Sequence, residues 1–341
     1  MRRPRTTIVC SMRNEGPFIV EWVAWYRRLG FTDIVVVTNN CTDRSPELLD
    51  ALQAAGWVHH IRHDVPAGQP ITAQKLAAAR RHPAVRKAAW VMVADVDEFL
   101  VVHRGNGKLA DLVNAHRLAD GTPAYLGMSI NWRVFGSDGV VPFRDAPVHR
   151  QFFGACSQAR SLSCFVKSVF RAPRWFLALG EHGPRKLSLA RARRVWGDPG
   201  MVWITPAGEP VPKWHPKGDY LRRLTPAQTS HAVAQINHYM IRSVESYSLK
   251  KGTLSPVALS NRYTPGYFAR ASHADEIDDC ALRHQGEFDA LFQAAMALPD
   301  VARLHHLCCA DHLQMIAARA GRRIEDDPRH AAHLAQADES G

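Results

Sequence analysis

A chain of 341 residues, 46% apolar and 22% charged, has the composition of an ordinary globular protein, which excludes disordered, collagen-like and coiled-coil classes. Its 43 Lys and Arg outnumber 32 Asp and Glu, for a formal charge of +11. That balance favours anionic partners, whether nucleotide phosphates, nucleic acid or an acidic membrane face, without choosing among them.

The apolar run Ile8 to Met12 is cut off by Arg13, Asn14 and Glu15, too short for a signal peptide. Ile19, Trp22, Val23 and Tyr26 then recur at helical spacing, with Asn14 placed to cap the helix and Gly30 to end it. Ile34–Val37 is a β-branched run. Ser45-Pro46 reads as a cap and first-turn proline, and Gly56 closes that helix before a strand at Trp57–Ile61. A third helix is expected over Thr72–Arg81 and a fourth strand over Trp90–Ala94. Uncharged, mostly apolar runs such as Ala88 to Ala94 fall far below the roughly 20 residues that span a bilayer. From Gly105 to about Gly218 the pattern loosens, and a basic cluster runs from Arg185-Lys186 through Arg191, Arg193 and Arg194. Residues 230–320 look more helical, and 322–341 read as a polar, flexible tail. Seven cysteines without a Cys-x-x-Cys spacing read as reduced thiols. The expected compartment is the cytoplasm, with peripheral contact at the inner face of the membrane through the basic cluster.

Strands alternating with helices imply a mostly parallel sheet, whose ligands sit beyond the carboxyl ends of the strands. Asn14-Glu15, Asn39 to Asp43 and Asp95 to Glu98 all fall at such ends. Asp95 and Asp97, two residues apart after an apolar strand, can approach one hard cation that bridges to a diphosphate. The alternative for this pair is a solvated acidic turn or a helix cap.

An ordered series of motifs then carries a resemblance. It comprises Asn14-Glu15-Gly16-Pro17-Phe18-Ile19 with Glu21-Trp22, Asn39 to Asp43, and Asp95-Val96-Asp97-Glu98-Phe99-Leu100. Trp132 to Ser137 follows, then Asn237-His238-Tyr239 with Arg242-Ser243, Glu245-Ser246-Tyr247 and Lys250-Lys251-Gly252. Over about residues 6 to 270 this series resembles the family 2-like glycosyltransferases of GT-A fold, and more narrowly the branch close to glycosyltransferase family 92. The implied fold is α/β: a Rossmann-like, mostly parallel sheet with helices on both faces and a helical C-terminal part. The implied division is a transferase domain over 1–270 and a helical extension over 271–321.

The resemblance implies a hexosyltransferase-type, nucleotide-sugar-dependent enzyme, inverting, with Mn²⁺ or Mg²⁺ as cofactor. Asn14, Glu15, Asn39 and Asp43 would hold the nucleotide, and Asp95, Asp97 and His238 the metal. Asn39 stands where an Asp is usual, and its amide suits a uracil edge. UDP is expected ahead of GDP and dTDP. Glu98 would contact the sugar or support the metal, and Lys250, Lys251, Lys167 or Arg150 would add positive charge. Glu181, ahead of Asp138, is the expected catalytic base. Trp132, with Phe135 and Trp175, would form an apolar platform, and His182 would contact the acceptor, a glycan or lipid-linked species rather than nucleic acid. The Arg-, Ala- and His-rich usage fits a bacterial enzyme of surface-polymer assembly. Two other readings stay open: phosphoryl or nucleotidyl transfer on a similar sheet, and a non-catalytic polyanion-binding protein. Separately, His305, Cys308 or Cys309, and His312 share a helix face at a zinc-ligand spacing. The leading alternative there is a helix packed through Leu304, Leu307 and Leu313.

Overall fold

The computed structural model describes residues 4–66, 68–190, 199–214, 221–253, 260 and 263–341; Arg191, Arg193 and Arg194 of the basic cluster lie outside these residues. Strands β1 (Thr6–Met12), β2 (Asp33–Thr38), β3 (His59–Arg62) and β4 (Trp90–Val93) alternate with helices α1 (Gly16–Arg28), α2 (Ser45–Ala54) and α3 (Ile71–Arg81). The four strands lie side by side and parallel, as intervening crossover helices require. Along them Ile8, Cys10, Ile34 and Val36 face one apolar core, and Val9, Val35 and Val37 face the other. That alternation places apolar layers on both faces.

The loosely patterned middle of the chain completes the sheet. β5 (Glu98–Val102), β6 (Gly127–Val134), β7 (Gly154–Ala155), β8 (Val166–Arg171), β9 (Phe176–Gly180), β10 (Gly183–Leu187), β11 (Trp203–Ile204), β12 (Ala234–His238) and β13 (Glu276–Ile277) follow in order. The main sheet runs β3-β2-β1-β4-β8-β6-β12-β5, with β11 on β6. β8 is antiparallel to both β4 and β6, so β6 recovers the direction of β4, and β12 is parallel to β6. The carboxyl ends of β1, β2, β4 and β12 and the amino end of β8 therefore share one rim. This mostly parallel sheet, with apolar layers on both faces, is the α/β arrangement expected from the alternating strands and helices.

Asn14 does not cap α1. It stands in the left-handed region at φ +54°, and its amide both donates to Thr42 Oγ1 and accepts from the Thr42 N–H, each at 2.8 Å. The N–H of Gly16 goes instead to Asp43 Oδ2 at 3.2 Å, so the loop after β2 caps the helix after β1. Helices Gln285–Met296 and Val301–Ala320 pack on α1, which explains why α1 is buried on nearly every side, Glu21 included. The larger core runs from Ile8 through Ile316; residues 271–321 share it with 1–270.

Residues 322–341 are not a loose tail. Helix Pro328–Glu339 lies against Val301–Ala320. Asp327 caps it by accepting the Arg329 N–H at 3.1 Å, and Arg329 bridges Asp327 and Glu245. Only His333 and Ala337, one turn apart, are buried, so a polar composition conceals the single inward stripe. Among the described residues no helix is long and apolar enough to cross a membrane.

A Cβ added at Gly16 would lie 2.4 Å from the Cys308 Cβ and 2.5 Å from its Sγ, whereas one at Gly286 meets nothing within 4 Å. Gly16→Ala is expected to cost about 1–3 kcal/mol in urea denaturation. Gly286→Ala, in an open helical position, should be neutral or stabilising by up to about 1 kcal/mol.

Candidate active site

The turn Asp95–Glu98 sits between β4 and β5, closed by the Glu98 N–H on the Asp95 carbonyl at 3.1 Å. Two aromatic side chains of α1 hold it from below: Trp22 Nε1 donates to the Asp95 carbonyl at 3.1 Å and the Tyr26 hydroxyl to the Glu98 carbonyl at 3.0 Å. The antiparallel register of β5 on β12 sets His238 directly opposite Glu98, and residues so paired share a face of the sheet. The Tyr239 N–H also bonds the Asp97 carbonyl at 2.9 Å. Backbone pairing, more than side-chain chemistry, thus brings residues 95–98 and 238 together.

Lys167, at the start of β8 and 1% exposed, is the centre of this cluster. Its Nζ lies 3.0 Å from Asp95 Oδ2, 2.7 Å from Glu98 Oε2 and 2.6 Å from the Glu181 carbonyl. An ammonium has three N–H donors, so all of its capacity is used. Burial would lower the Lys167 pKa, but Asp95 and Glu98 outweigh it and raise it. Glu98 has no exposed surface, and burial pushes its carboxyl up to about 7 despite the lysine. Of the pair, the charge of Lys167 is the secure one, because three acceptors surround it.

Asp97 faces a second lysine. Lys250 Nζ donates to Asp97 Oδ2 at 3.1 Å and to the Met240 carbonyl at 3.0 Å, which leaves one N–H without an acceptor among the described residues. Burial alone would raise the Asp97 carboxyl, but Lys250 and His238 hold it well below the ordinary value. Asp97 Oδ1 and His238 Nε2 stand 3.5 Å apart, beyond good hydrogen-bond length, and both are donor types that hold Mn²⁺ or Mg²⁺. The Asp97–His238 gap therefore fits a divalent cation. The two aspartates do not converge: each is turned to its own lysine, and Asp95, with a 45% exposed side chain, sits at the mouth.

Around this cluster the rim carries three non-glycine residues with positive φ, Asn14 at +54°, Asn40 at +41° and Arg242 at +57°, the backbone strain that marks functional sites. Asn39 is 3% exposed; its Nδ2 donates to Asn40 Oδ1 at 3.1 Å, while its Oδ1 is buried without a partner. Glu15 pairs with Arg242 at 2.9 Å, and burial raises its carboxyl. The Nε and Nη2 of Arg242 are buried without partners. Asp43 is committed to the helix starts, accepting from Gly16 and from both the N–H and Oγ of Ser45.

Other expected residues separate. Trp132 reaches the cluster, its ring 4.3 Å from that of His238 and 5.5 Å from that of His182, and its Nε1 is buried without a partner. Phe135 is fully buried against Tyr239, and Trp175 packs in the smaller core, so no three-ring platform forms. His182 Nδ1 lies 2.8 Å from the Val166 carbonyl, and burial together with Lys167 lowers its pKa to about 4. Glu181 occupies the β9–β10 turn that Lys167 anchors through the Glu181 carbonyl. Asp138 is directed elsewhere: both oxygens accept backbone N–H groups of Phe153 and Gly154. Arg150 pairs with Asp289 at 2.5 Å beside the Phe288 ring, and Lys251 lies over Tyr247; neither Arg150 nor Lys251 contacts the acidic cluster.

Lys75 escaped sequence reasoning. It is 3% exposed on α3 and donates to the carbonyl of Met12, the last residue of β1, at 3.2 Å. Burial lowers its pKa to about 8. The signal was a lysine at 75 sharing the apolar face of Thr72, Leu76 and Ala79.

Removing Lys167 strands the buried Glu98 carboxylate, so Lys167→Met is expected to cost about 3–5 kcal/mol in urea denaturation, with part recovered in Lys167→Met/Glu98→Gln. Lys75 gives a pH signature. Unfolded, its amine keeps its proton to the ordinary 10.5; folded, only to about 8. Between these values the unfolded state binds more protons, so this contribution to stability rises with pH across the window and is lost as pH falls through 8. Denaturation of wild type and Lys75→Met from pH 7 to about 10.5 should show the rise only in wild type.

Among solved structures, the chain is similar to S. aureus TarS (residues 1–349) in complex with UDP, at 12% identity and a TM-score of 0.31, over 49% of this chain and 47% of that one. It thus spans about half the length of that structure. It is also similar to glucosyl-3-phosphoglycerate synthase from Mycobacterium tuberculosis in complex with Mn²⁺, UDP and glucosyl-3-phosphoglycerate, at 12% identity and a TM-score of 0.30, over 62% and 73%. No curated protein sequence matches the chain. The family model for glycosyltransferase family 92 matches residues 5–195, more than half of the chain and the part that carries Asp95–Glu98 and Lys167, and the chain belongs to glycosyltransferase family 92.

Proposed function

We propose that this glycosyltransferase transfers a hexose from a UDP-sugar, with inversion and with Mn²⁺ or Mg²⁺, to a glycan or lipid-linked acceptor. The observation that carries this reading is the set of cationic donors left over on one rim. Among the described residues Lys250 has two acceptors and Lys75 one, and Arg242, its guanidinium over the Phe18 ring, has Nε and Nη2 without hydrogen-bond partners. Spare buried cationic donors at the carboxyl ends of parallel strands suit a diphosphate. The buried Oδ1 of Asn39 needs a donor, which the N3–H of uracil supplies. Glu15 and Asn14 would complete the nucleotide side.

In the proposed reaction Glu181 takes the proton of the acceptor hydroxyl as that oxygen bonds to the anomeric carbon. The bond from that carbon to the diphosphate breaks, and its electron pair leaves on UDP. Lys250, Lys75 and Arg242 meet the departing charge. Asp97 and His238, with Asp95 nearby, would hold a divalent cation, which would supply Lewis-acid stabilisation of the same charge. Trp132 and His182 border the sugar and acceptor side, and Glu98 keeps Asp95 and Lys167 in place.

The test is thermal-shift screening against UDP, GDP, CDP, dTDP and UMP, each with and without Mn²⁺. UDP with Mn²⁺ should give the largest rise in melting temperature. Asp97→Asn should lower the unliganded melting temperature, because its carboxylate also pairs with Lys250, and should remove the additional rise that Mn²⁺ gives over UDP alone; Asn39→Ala should reduce the preference for UDP over GDP. No shift with any nucleotide would sink the donor assignment.

A further inference from the structure

The helix Val301–Ala320 carries His305, His306, Cys308, Cys309 and His312, and the structure sorts them in a way their spacing alone does not. His312 is 3% exposed, with Nε2 3.1 Å from Ser246 Oγ and its ring against Phe18 and Phe143. Cys308 is spent on the close approach to Gly16. Neither belongs to a ligand set. Two residues remote in sequence take their place: Asp145, in the segment between β6 and β7, and His333, on the last helix.

We propose that Asp145, Cys309 and His333, with His306 beside His333, form a structural site for a zinc-class transition-metal ion, separate from the Asp97–His238 site. Donor atoms of Asp145, Cys309 and His333 all lie within 4.8 Å of one another, as do those of Asp145, His305 and His306. His306 Nδ1 and His333 Nδ1 face each other at 3.2 Å, and His306 Nδ1 is 3.8 Å from Asp145 Oδ2. Zinc–nitrogen bonds of about 2.0–2.1 Å at tetrahedral angles separate two nitrogens by about 3.3 Å, so the imidazole pair already stands at ligand spacing. His305 Nε2 lies 3.0 Å from the other oxygen of Asp145, the supporting bond that commonly orients a ligating carboxylate.

The donor chemistry selects the ion. Two imidazoles, a thiol and one carboxylate are too soft a set for Mg²⁺ or Ca²⁺ and suit zinc. Cys309 has no exposed surface, and burial pushes its thiol up in the metal-free state; a bound cation would reverse that by holding the thiolate. Donors drawn from three separate segments make an ion at this point a cross-link, the role of a structural site. The ion would tie the β6–β7 segment and the last helix to Val301–Ala320. The same segment carries His149, whose Nδ1 meets the buried Glu21 of α1 at 2.7 Å.

The experiment uses the full chain without a histidine tag, and reads metal content, spectrum and melting temperature. About one zinc per chain should survive gel filtration. Zn²⁺ returned to chelator-treated protein should raise the melting temperature where Mg²⁺ does not. The Co²⁺-substituted protein should show tetrahedral d–d bands with a sulfur-to-metal charge-transfer band, the latter lost in Cys309→Ser. His306→Ala/His333→Ala should bind no zinc, while Asp97→Asn keeps it. Metal far below stoichiometry with no thermal response to Zn²⁺ would overturn the site. So would full zinc retention in the double variant, or a Co²⁺ spectrum unchanged by Cys309→Ser, a readout that stands even if the double variant does not fold.

Discussion

A buried ammonium with three acceptors and no room for a fourth organises the candidate active site of this protein. Lys167 joins the strand that runs against the parallel direction to the turn after β4, through Asp95 and Glu98, and to the β9–β10 turn, through the Glu181 carbonyl. One strand and two turns are thereby fixed to one point. The interior makes this bond set demanding: charges out of water are tolerated only with close to complete pairing. Lys167 is saturated and therefore structural, whereas Lys250, a few ångströms of side chain from the other aspartate, retains a donor. The two lysines have the same charge and opposite assignments, and the count of hydrogen-bond partners separates them.

The second organising element is the register of β5 on β12. Because His238 is the direct partner of Glu98, a slip of one residue would turn His238 to the opposite face and dismantle the Asp97–His238 pair. The packing of Tyr239 on Phe99 and Phe135 holds that register with apolar contact. Stability is concentrated there while strain is placed on the rim, where Asn14, Asn40 and Arg242 hold positive φ. Each is kept by specific bonds: Asn14 by Thr42, Asn40 by the Asp64 carboxylate, and Arg242 by Glu15.

The first four strands and three helices were legible because inner parallel strands are continuous β-branched runs and the helices between them keep a 3.6-residue period. The rim was legible for the same reason, since topology alone puts loops at strand ends. The middle of the chain was opaque because its strands are short and its partners distant in sequence: Glu98 meets His238, and Asp95 meets Lys167, across pairings that no local pattern encodes. Asp43, expected at the nucleotide, accepts from the first residues of both α1 and α2, while Asn14, expected as the cap of α1, is tied to Thr42 instead, a tertiary exchange that local capping rules do not anticipate. The last helix was missed because one buried stripe of two residues leaves too weak a periodicity.

The C-terminal helix Val301–Ala320 then acquires a role beyond filling the core. Along its length it touches the rim loop by loop: Cys308 against Gly16, Asp311 on the Arg44 N–H at 3.0 Å, His312 on Ser246, Met315 against the Asn14 amide, and Arg319 on the Lys251 carbonyl. These contacts reach the start of α1, the start of α2 and the segment that carries Arg242 and Lys250. The helix is therefore a single rigid brace behind the polar side chains of the nucleotide rim. Its amino-terminal turns hold the proposed zinc ligands and its carboxyl-terminal turns hold the rim. An ion that fixes one end of a rigid element constrains the other, because a packed helix shifts as a body rather than bending residue by residue. Precision at the rim is thus set partly by packing well away from it, and the helical C-terminal part is mechanically continuous with the site it supports.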